Sequence, residues 1–249
     1  MALCTVRFFS ESLQLSTAMY VILPDGRFKP PYAVLYQLHG LSDDYTIWLR
    51  RTSIERYVAN VPLVVVMPDG GRGWYTDAVE GYAYESHIMK DTMGFVERFF
   101  PVKRTRAGRA VGGLSMGGYG AMKLALKHPG IFASVASHSS AFDSGHKPSE
   151  SEHKEVVRVF GANPEGGPND VFALAGKLNP KAAPAIWIDC GTSDRLLDSN
   201  RRFHRRLAKL GVRHTYREYP GIHEWDYWDA HFPDALKFHA RNLGFKAQK

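Results

Sequence analysis

Short apolar runs that close on Gly, Asp or Ser recur along the chain. "YAVLYQLHG" (32–40), "PLVVVMPDG" (62–70), "RAVGGLS" (109–115), "FASVASHSS" (132–140) and "AIWIDCG" (185–191) are the clearest. They are rich in Val, Ile and Leu and mostly do not alternate with polar positions. That is the pattern of strands buried on both faces of a parallel sheet. Helical periodicity separates them and predicts helices over 85–99, 118–128, 199–210 and 233–242. Alternating strand and helix predicts an α/β fold, a mostly parallel sheet with helices on both faces. The N-terminal runs "TVRFFSES" and "TAMYVILPDG" read instead as an antiparallel pair at the sheet edge, closed by Pro24, Asp25 and Gly26.

Residues 143–180 break this rhythm, being polar, rich in Pro and Gly, and interrupted by short helical pieces. They hold too few apolar residues for a core of their own. The expected arrangement is one domain over residues 1–249 with 143–180 as a cap-like insertion at the C-terminal edge of the sheet, where open α/β folds bind ligands.

Composition narrows the class. At 44% hydrophobic residues, the 249-residue chain can bury a sizeable core. Its net charge of +7 concentrates in "KRTRAGR" (103–109) and "RRFHRR" (201–206). No aromatic-studded binding motif accompanies these clusters, so they read as solvated faces and no nucleic-acid role is expected. Two cysteines far apart, Cys4 and Cys190, support neither a disulfide framework nor a metal site. No apolar run approaches the ~20 residues of a bilayer span, and the N-terminus does not read as a signal peptide. The expectation is a cytoplasmic protein with no membrane association, and a homo-oligomer is left open.

The segment "GLSMG" (113–117) supplies candidate chemistry. It follows a strand-like run and opens a helical one that Pro129 and Gly130 stop. A serine on such a turn, Ser115, is pushed clear of the sheet. Side chains at 113 and 117 would collide with neighbouring backbone, so glycine fits both. A serine hydroxyl needs a base, and the base needs an orienting acid. The acid should follow a later strand, and the candidates after "AIWIDCG" rank Asp194, Asp198, Asp189. His223, in the loop after "HTYREYPG", is the expected base, ahead of His204, His214, His231 and His239. Backbone N–H groups of Met116 and of Leu41, in the "QLHGLSDD" loop, are the expected oxyanion donors. His39 in that loop reads as structural. Trp48, Trp74, Tyr75, Phe142 and Trp225 follow loops on the same side and are candidate walls of a substrate pocket.

"LHGLSDD", "MPDGGRGWYTD", "GLSMGGYGAMKLALKHP", "CGTSDRLLDSN" and "YPGIHEWDYWD" occur in register from about residue 6 to 244. Together they resemble the esterase D-like, tributyrin-type carboxylesterase branch of the α/β-hydrolase superfamily. The resemblance implies an α/β-hydrolase fold and hydrolysis of short acyl or aryl esters through an acyl-enzyme, with no metal and no cofactor. It places the nucleophile at Ser115, the acid at Asp194, the base at His223 and the oxyanion donors at Leu41 and Met116. S-formylglutathione hydrolases, feruloyl and acetyl esterases and acyltransferases of the same fold are its alternatives. Leu114 stands where formylglutathione hydrolases tend to carry His.

Overall fold

A computed structural model describes residues 1–147 and 153–246. Eight strands form one sheet in the order β1-β2-β4-β3-β5-β6-β7-β8. The hairpin β1 (Ala2–Ser10) and β2 (Leu15–Leu23) lies antiparallel at one edge, and β2 is also antiparallel to β4 (Leu63–Pro68). The remaining pairings join β3 (Ala33–Leu38), β4, β5 (Arg109–Leu114), β6 (Ser134–His138), β7 (Ala185–Gly191) and β8 (His214–Tyr219), and all are parallel. This is the mostly parallel sheet, with an antiparallel N-terminal pair at its edge, that the apolar runs predict.

Every residue of β3, β4 and β6 is buried, yet successive side chains still go to opposite faces. Val34, Tyr36 and Leu38 join one core, with Val64, Val66, Val111 and Val135. Ala33 and Leu35 join the other, with Leu63, Val65 and Ala110. Two buried faces explain why these strands read as unbroken apolar runs.

Parallel neighbours require crossovers, and helices supply them. Short helices α1 (Ile47–Arg51) and α2 (Ile54–Val58), which periodicity does not reveal, follow β3. The predicted helix at 85–99 is composite: α3 (Tyr84–Ser86), a wide turn over His87–Thr92, and α4 (Met93–Phe99). Helix α5 (Met116–Lys127) follows β5 directly and is buried almost throughout. Its Lys123 is wholly buried, and Nζ donates to Tyr75 O at 2.5 Å, Thr76 Oγ1 at 2.9 Å and Glu85 Oε2 at 2.8 Å. A buried ammonium is tolerated only with such partners; these tie α5 to the loop after β4.

The segment 143–180 is present between β6 and β7. Residues 148–152 of it lie outside the described residues. Its helices are α6 (His153–Phe160) and α7 (Val171–Lys177), the latter capped by Asp170, which accepts from the N–H groups of Phe172 and Ala173. Helix α7 packs against α5 and against α8 (Leu197–Lys209). Phe160 meets Trp74 and Tyr119 edge-on.

The last helix, α9, runs over Trp225–Leu243 and so begins eight residues before the predicted start at Pro233. An interior proline costs about 3 kcal/mol. Tyr227, Trp228, Phe232, Leu236 and Leu243 all bury in the second core, each worth about 1.5–3 kcal/mol, which outweighs that cost. The aromatic half of α9 places residues 223–228 at the C-terminal end of the sheet. Among the described residues, no helix is long and apolar enough to cross a membrane.

Candidate active site

Ser115 closes β5 and opens α5 with φ 53° and ψ −116°, a left-handed conformation that a non-glycine residue adopts only when its surroundings enforce it. The neighbours do enforce it. Its N–H donates to His138 O at 2.9 Å, and its carbonyl accepts from Tyr119 N at 3.0 Å and Ala141 N at 3.2 Å. A Cβ at residue 113 would lie 2.5 Å from the Gly117 carbonyl, and one at residue 117 would lie 2.5 Å from His39 O. Both glycines are therefore required by close approach of backbone to backbone.

The structure brings three side chains together. Ser115 Oγ lies 3.0 Å from His223 Nε2. His223 Nδ1 lies 2.9 Å from Asp194 Oδ2 and 3.1 Å from Oδ1. The loop carrying Asp194 is tied to the loop carrying His223: Thr192 N donates to Tyr219 O at 2.8 Å and Ser193 N to Gly221 O at 2.9 Å. Burial would raise the Asp194 carboxyl, but hydrogen bonds from His223 and from the Leu196 N–H outweigh it and hold the group below the usual aspartate range. The imidazole packs edge-on against Trp228 at 5.0 Å.

The other acids and histidines have different partners. Asp198 is exposed on the first turn of α8. Asp189 is buried and accepts from Trp187 Nε1 at 2.6 Å and Tyr227 Oη at 3.1 Å. His138 Nδ1 lies 2.8 Å from Asp189 Oδ2 but off the line of a good hydrogen bond. His204 pairs with His214, His231 stacks on Tyr219, and His239 meets Ser134. His39 is structural, as its position beneath the loop suggests. Its Nε2 accepts from Gly70 N at 2.8 Å, so Nδ1 carries the proton, which it donates to Gly40 O at 2.8 Å.

Leu41 and Met116 flank Ser115 from the loop after β3 and from the first residue of α5. Among the described residues neither backbone N–H donates to a protein acceptor. The first N–H groups of a helix have no partner within it, and the positive end of its dipole lies there.

A cavity of about 520 Å³ opens over Ser115 and His223. Of the predicted wall residues only Trp225 lines it. Trp48, Trp74, Tyr75 and Phe142 belong to the core instead, none more than 2% exposed. Trp48 donates Nε1–H to Leu38 O and supports Trp225 edge-on from behind. Tyr75 donates to His39 O, Trp74 packs on Tyr119, and Phe142 packs on Phe203 of α8. Following a catalytic-side loop puts a residue near the right end of the sheet without deciding whether it points up or in. Sequence reasoning missed Trp228 and the charged walls, including Asp43, Arg51, Arg195 and Glu224. Arg195 and Glu224 immediately follow Asp194 and His223, and that adjacency was the available signal. Among the described residues, none that lines the cavity comes from 143–180. Among the described residues, no group of three His, Cys, Asp or Glu side chains could hold a metal ion.

The family model described as "Putative esterase" matches residues 10–239. The chain belongs to this esterase family. It is 29% identical to an acetyl esterase of Caldicellulosiruptor saccharolyticus, over 96% of this chain and 98% of that one. Its fold superposes on FphF, a fluorophosphonate-binding serine hydrolase of Staphylococcus aureus, with TM-score 0.87 and 28% identity over 96% of this chain and 98% of that one. The S-formylglutathione hydrolase FrmB of Staphylococcus aureus gives TM-score 0.84 and 28% identity, with the same coverage. This esterase is a serine hydrolase acting on carboxylic esters.

Proposed function

We propose that this esterase hydrolyses short-chain acyl or aryl esters in two steps, with Ser115 as nucleophile, His223 as general base and Asp194 as orienting acid, in one domain spanning residues 1–249. The observation that carries this reading is the unbroken chain from Ser115 Oγ through His223 to Asp194, at 3.0 and 2.9 Å. Ser115 Oγ attacks the ester carbonyl carbon as His223 Nε2 takes its proton. Asp194 holds the tautomer with hydrogen on Nδ1 and stabilises the imidazolium. The Leu41 and Met116 N–H groups receive the oxyanion, each donor commonly worth about 3–4 kcal/mol. The alcohol leaves with the proton from His223, and water then repeats the sequence on the acyl-enzyme.

The cavity supports a small substrate. Leu41, Leu114, Trp225 and Trp228 give it apolar walls, while the charged side chains on its rim suit a polar leaving group more than a long alkyl chain. A second reading, a thioester of a charged thiol, draws on Arg51 and Arg195 in the same wall. The two free cysteines suit a reducing, cytoplasmic setting.

The test is a panel of acetyl to octanoyl p-nitrophenyl esters, a feruloyl ester and S-formylglutathione, measured as kcat/KM with wild type and Ser115→Ala. Acetyl and butyryl esters should lead, and Ser115→Ala should be inactive on all. A maximum at S-formylglutathione would favour the second reading.

A further inference from the structure

The peptide that joins Gly40 to Leu41 carries two groups with different tasks. Its N–H is the proposed oxyanion donor of Leu41, and its C=O belongs to Gly40. This peptide is trans. A planar trans peptide points its C=O and its N–H in opposite directions. Whatever holds the Gly40 oxygen therefore aims the Leu41 hydrogen. Two donors hold that oxygen. His39 Nδ1 lies 2.8 Å from it, and Asp43 N donates to it at 3.3 Å across the turn 40–43. A carbonyl oxygen only accepts, so the proton of the imidazole sits on Nδ1.

The imidazole is itself fixed. His39 is 1% exposed and wedged between the loops after β3 and β4. Its Nε2 accepts from Gly70 N at 2.8 Å, its carbonyl accepts from Tyr75 Oη at 2.9 Å, and its ring meets Tyr75 edge-on at 5.9 Å. The Asp69 carboxylate stands 3.6 Å from Nε2, too far for a hydrogen bond. Gly40, Leu41 and Ser115 line the cavity, whereas His39 does not. The Gly40 carbonyl thus turns toward the buried ring and the Leu41 N–H toward the cavity.

Glycine at position 40 gives this lock its purpose. A Cβ there would lie 2.7 Å from Leu114 Cδ1, and glycine avoids that contact. Glycine also leaves the peptide after it freer to rotate than any other residue does. A rotated peptide would turn the negative end of its dipole toward the oxyanion.

We propose that His39 is a positioning residue for the oxyanion hole: its Nδ1–H holds the Gly40 carbonyl beneath the loop and keeps the Leu41 N–H aimed at the carbonyl oxygen of an ester on Ser115. The same hydrogen bond polarises the peptide and strengthens the Leu41 N–H as a donor. His39 itself does not touch substrate. This inference rests on the assignment of Ser115 as nucleophile and Leu41 as oxyanion donor.

Two substitutions separate the two ring nitrogens. An Asn amide reaches as far along the side chain as Nδ1, and a Gln amide as far as Nε2. His39→Asn keeps a donor for Gly40 O and leaves the Gly70 N–H without its acceptor. It should hold kcat within about threefold of wild type and unfold at lower urea. His39→Gln keeps an acceptor for Gly70 N and lacks the donor to Gly40 O. Its urea midpoint should stay near that of wild type. Its kcat for p-nitrophenyl acetate should fall about ten- to a hundredfold with KM unchanged, less than the 10²–10³ that outright removal of an oxyanion donor costs. Inhibition by trifluoroacetone, whose carbonyl becomes an oxyanion when Ser115 adds to it, should weaken in step with kcat.

Wild-type kcat in His39→Gln would overturn the proposal. So would losses of kcat that follow the losses of stability, with His39→Asn the weaker on both counts, or a loss of kcat in His39→Gln with trifluoroacetone inhibition intact. Ser115→Ala, assayed alongside, separates the two levels. Activity in Ser115→Ala overturns the nucleophile and this inference with it; an inactive Ser115→Ala beside a fully active His39→Gln overturns this inference alone.

Discussion

His223 Nε2 lies 3.0 Å from Ser115 Oγ although 108 residues separate them in the chain. Neither residue sits inside a regular strand. Each occupies a loop at the C-terminal end of a parallel sheet, and the hydrogen bonds of β5, β6, β7 and β8 set the spacing between those loops. The rigid part of the molecule thus fixes the geometry, and the loops carry the side chains of the proposed triad.

Asp194→Asn should leave the fold intact and lower kcat by about 10³–10⁴, because an amide can hold the imidazole in the wrong tautomer. Steady-state hydrolysis of p-nitrophenyl acetate measures it. Asp189→Asn should instead act through stability, since Asp189 serves Trp187 and Tyr227.

Trp225→Ala and Trp48→Ala separate wall from core. Trp225 lines the cavity, so its removal should raise KM for aryl esters several-fold with little loss of stability. Trp48 is 1% exposed, and truncating a buried aromatic costs about 3–5 kcal/mol. Urea unfolding with ester kinetics on both variants checks the contrast; equal losses of stability would contradict it.

Gly117→Ala tests the strand-to-helix turn at Ser115. A Cβ there would stand 2.5 Å from His39 O and 2.6 Å from Leu38 O, both main-chain atoms that cannot swing aside. The expected cost is about 1–3 kcal/mol, with kcat reduced more than KM is raised as Ser115 shifts. The urea midpoint and ester kinetics report the two effects.

His239 should make the protein acid-sensitive. It is buried against Ser134, and burial, followed by the nearby His138, pushes its pKa down to about 3. Between about pH 3 and the ordinary histidine value of 6.5, the unfolded chain binds a proton that the folded one refuses. Stability from this group is therefore full above pH 6.5 and is lost on acidification, with a limiting slope of about 1.4 kcal/mol per pH unit. His239→Gln should flatten the fall in urea midpoint between pH 7 and pH 5.

The residues that sequence reasoning located are those whose chemistry requires a particular place. A serine between Gly113 and Gly117 at a strand-to-helix junction, an aspartate just past β7 and a histidine just past β8 are fixed by the order of elements. The apolar runs located the strands because two buried faces leave no polar positions. What escaped was orientation. Trp48, Trp74, Tyr75 and Phe142 lie at the expected end of the sheet, but their side chains turn into the two cores, and which way a ring turns depends on partners far along the chain such as Tyr119 and Phe203. The start of α9 was hidden because Pro233 reads as a boundary, whereas the aromatic face on either side of it carries the helix through.

The most direct test of the account is to map the residue that a fluorophosphonate probe modifies, by mass spectrometry of the digested protein. The account predicts a single adduct on the peptide containing Ser115, absent in Ser115→Ala, with hydrolysis of p-nitrophenyl acetate lost in step with labelling. An adduct on another serine, or full turnover by the protein labelled at Ser115, would contradict it.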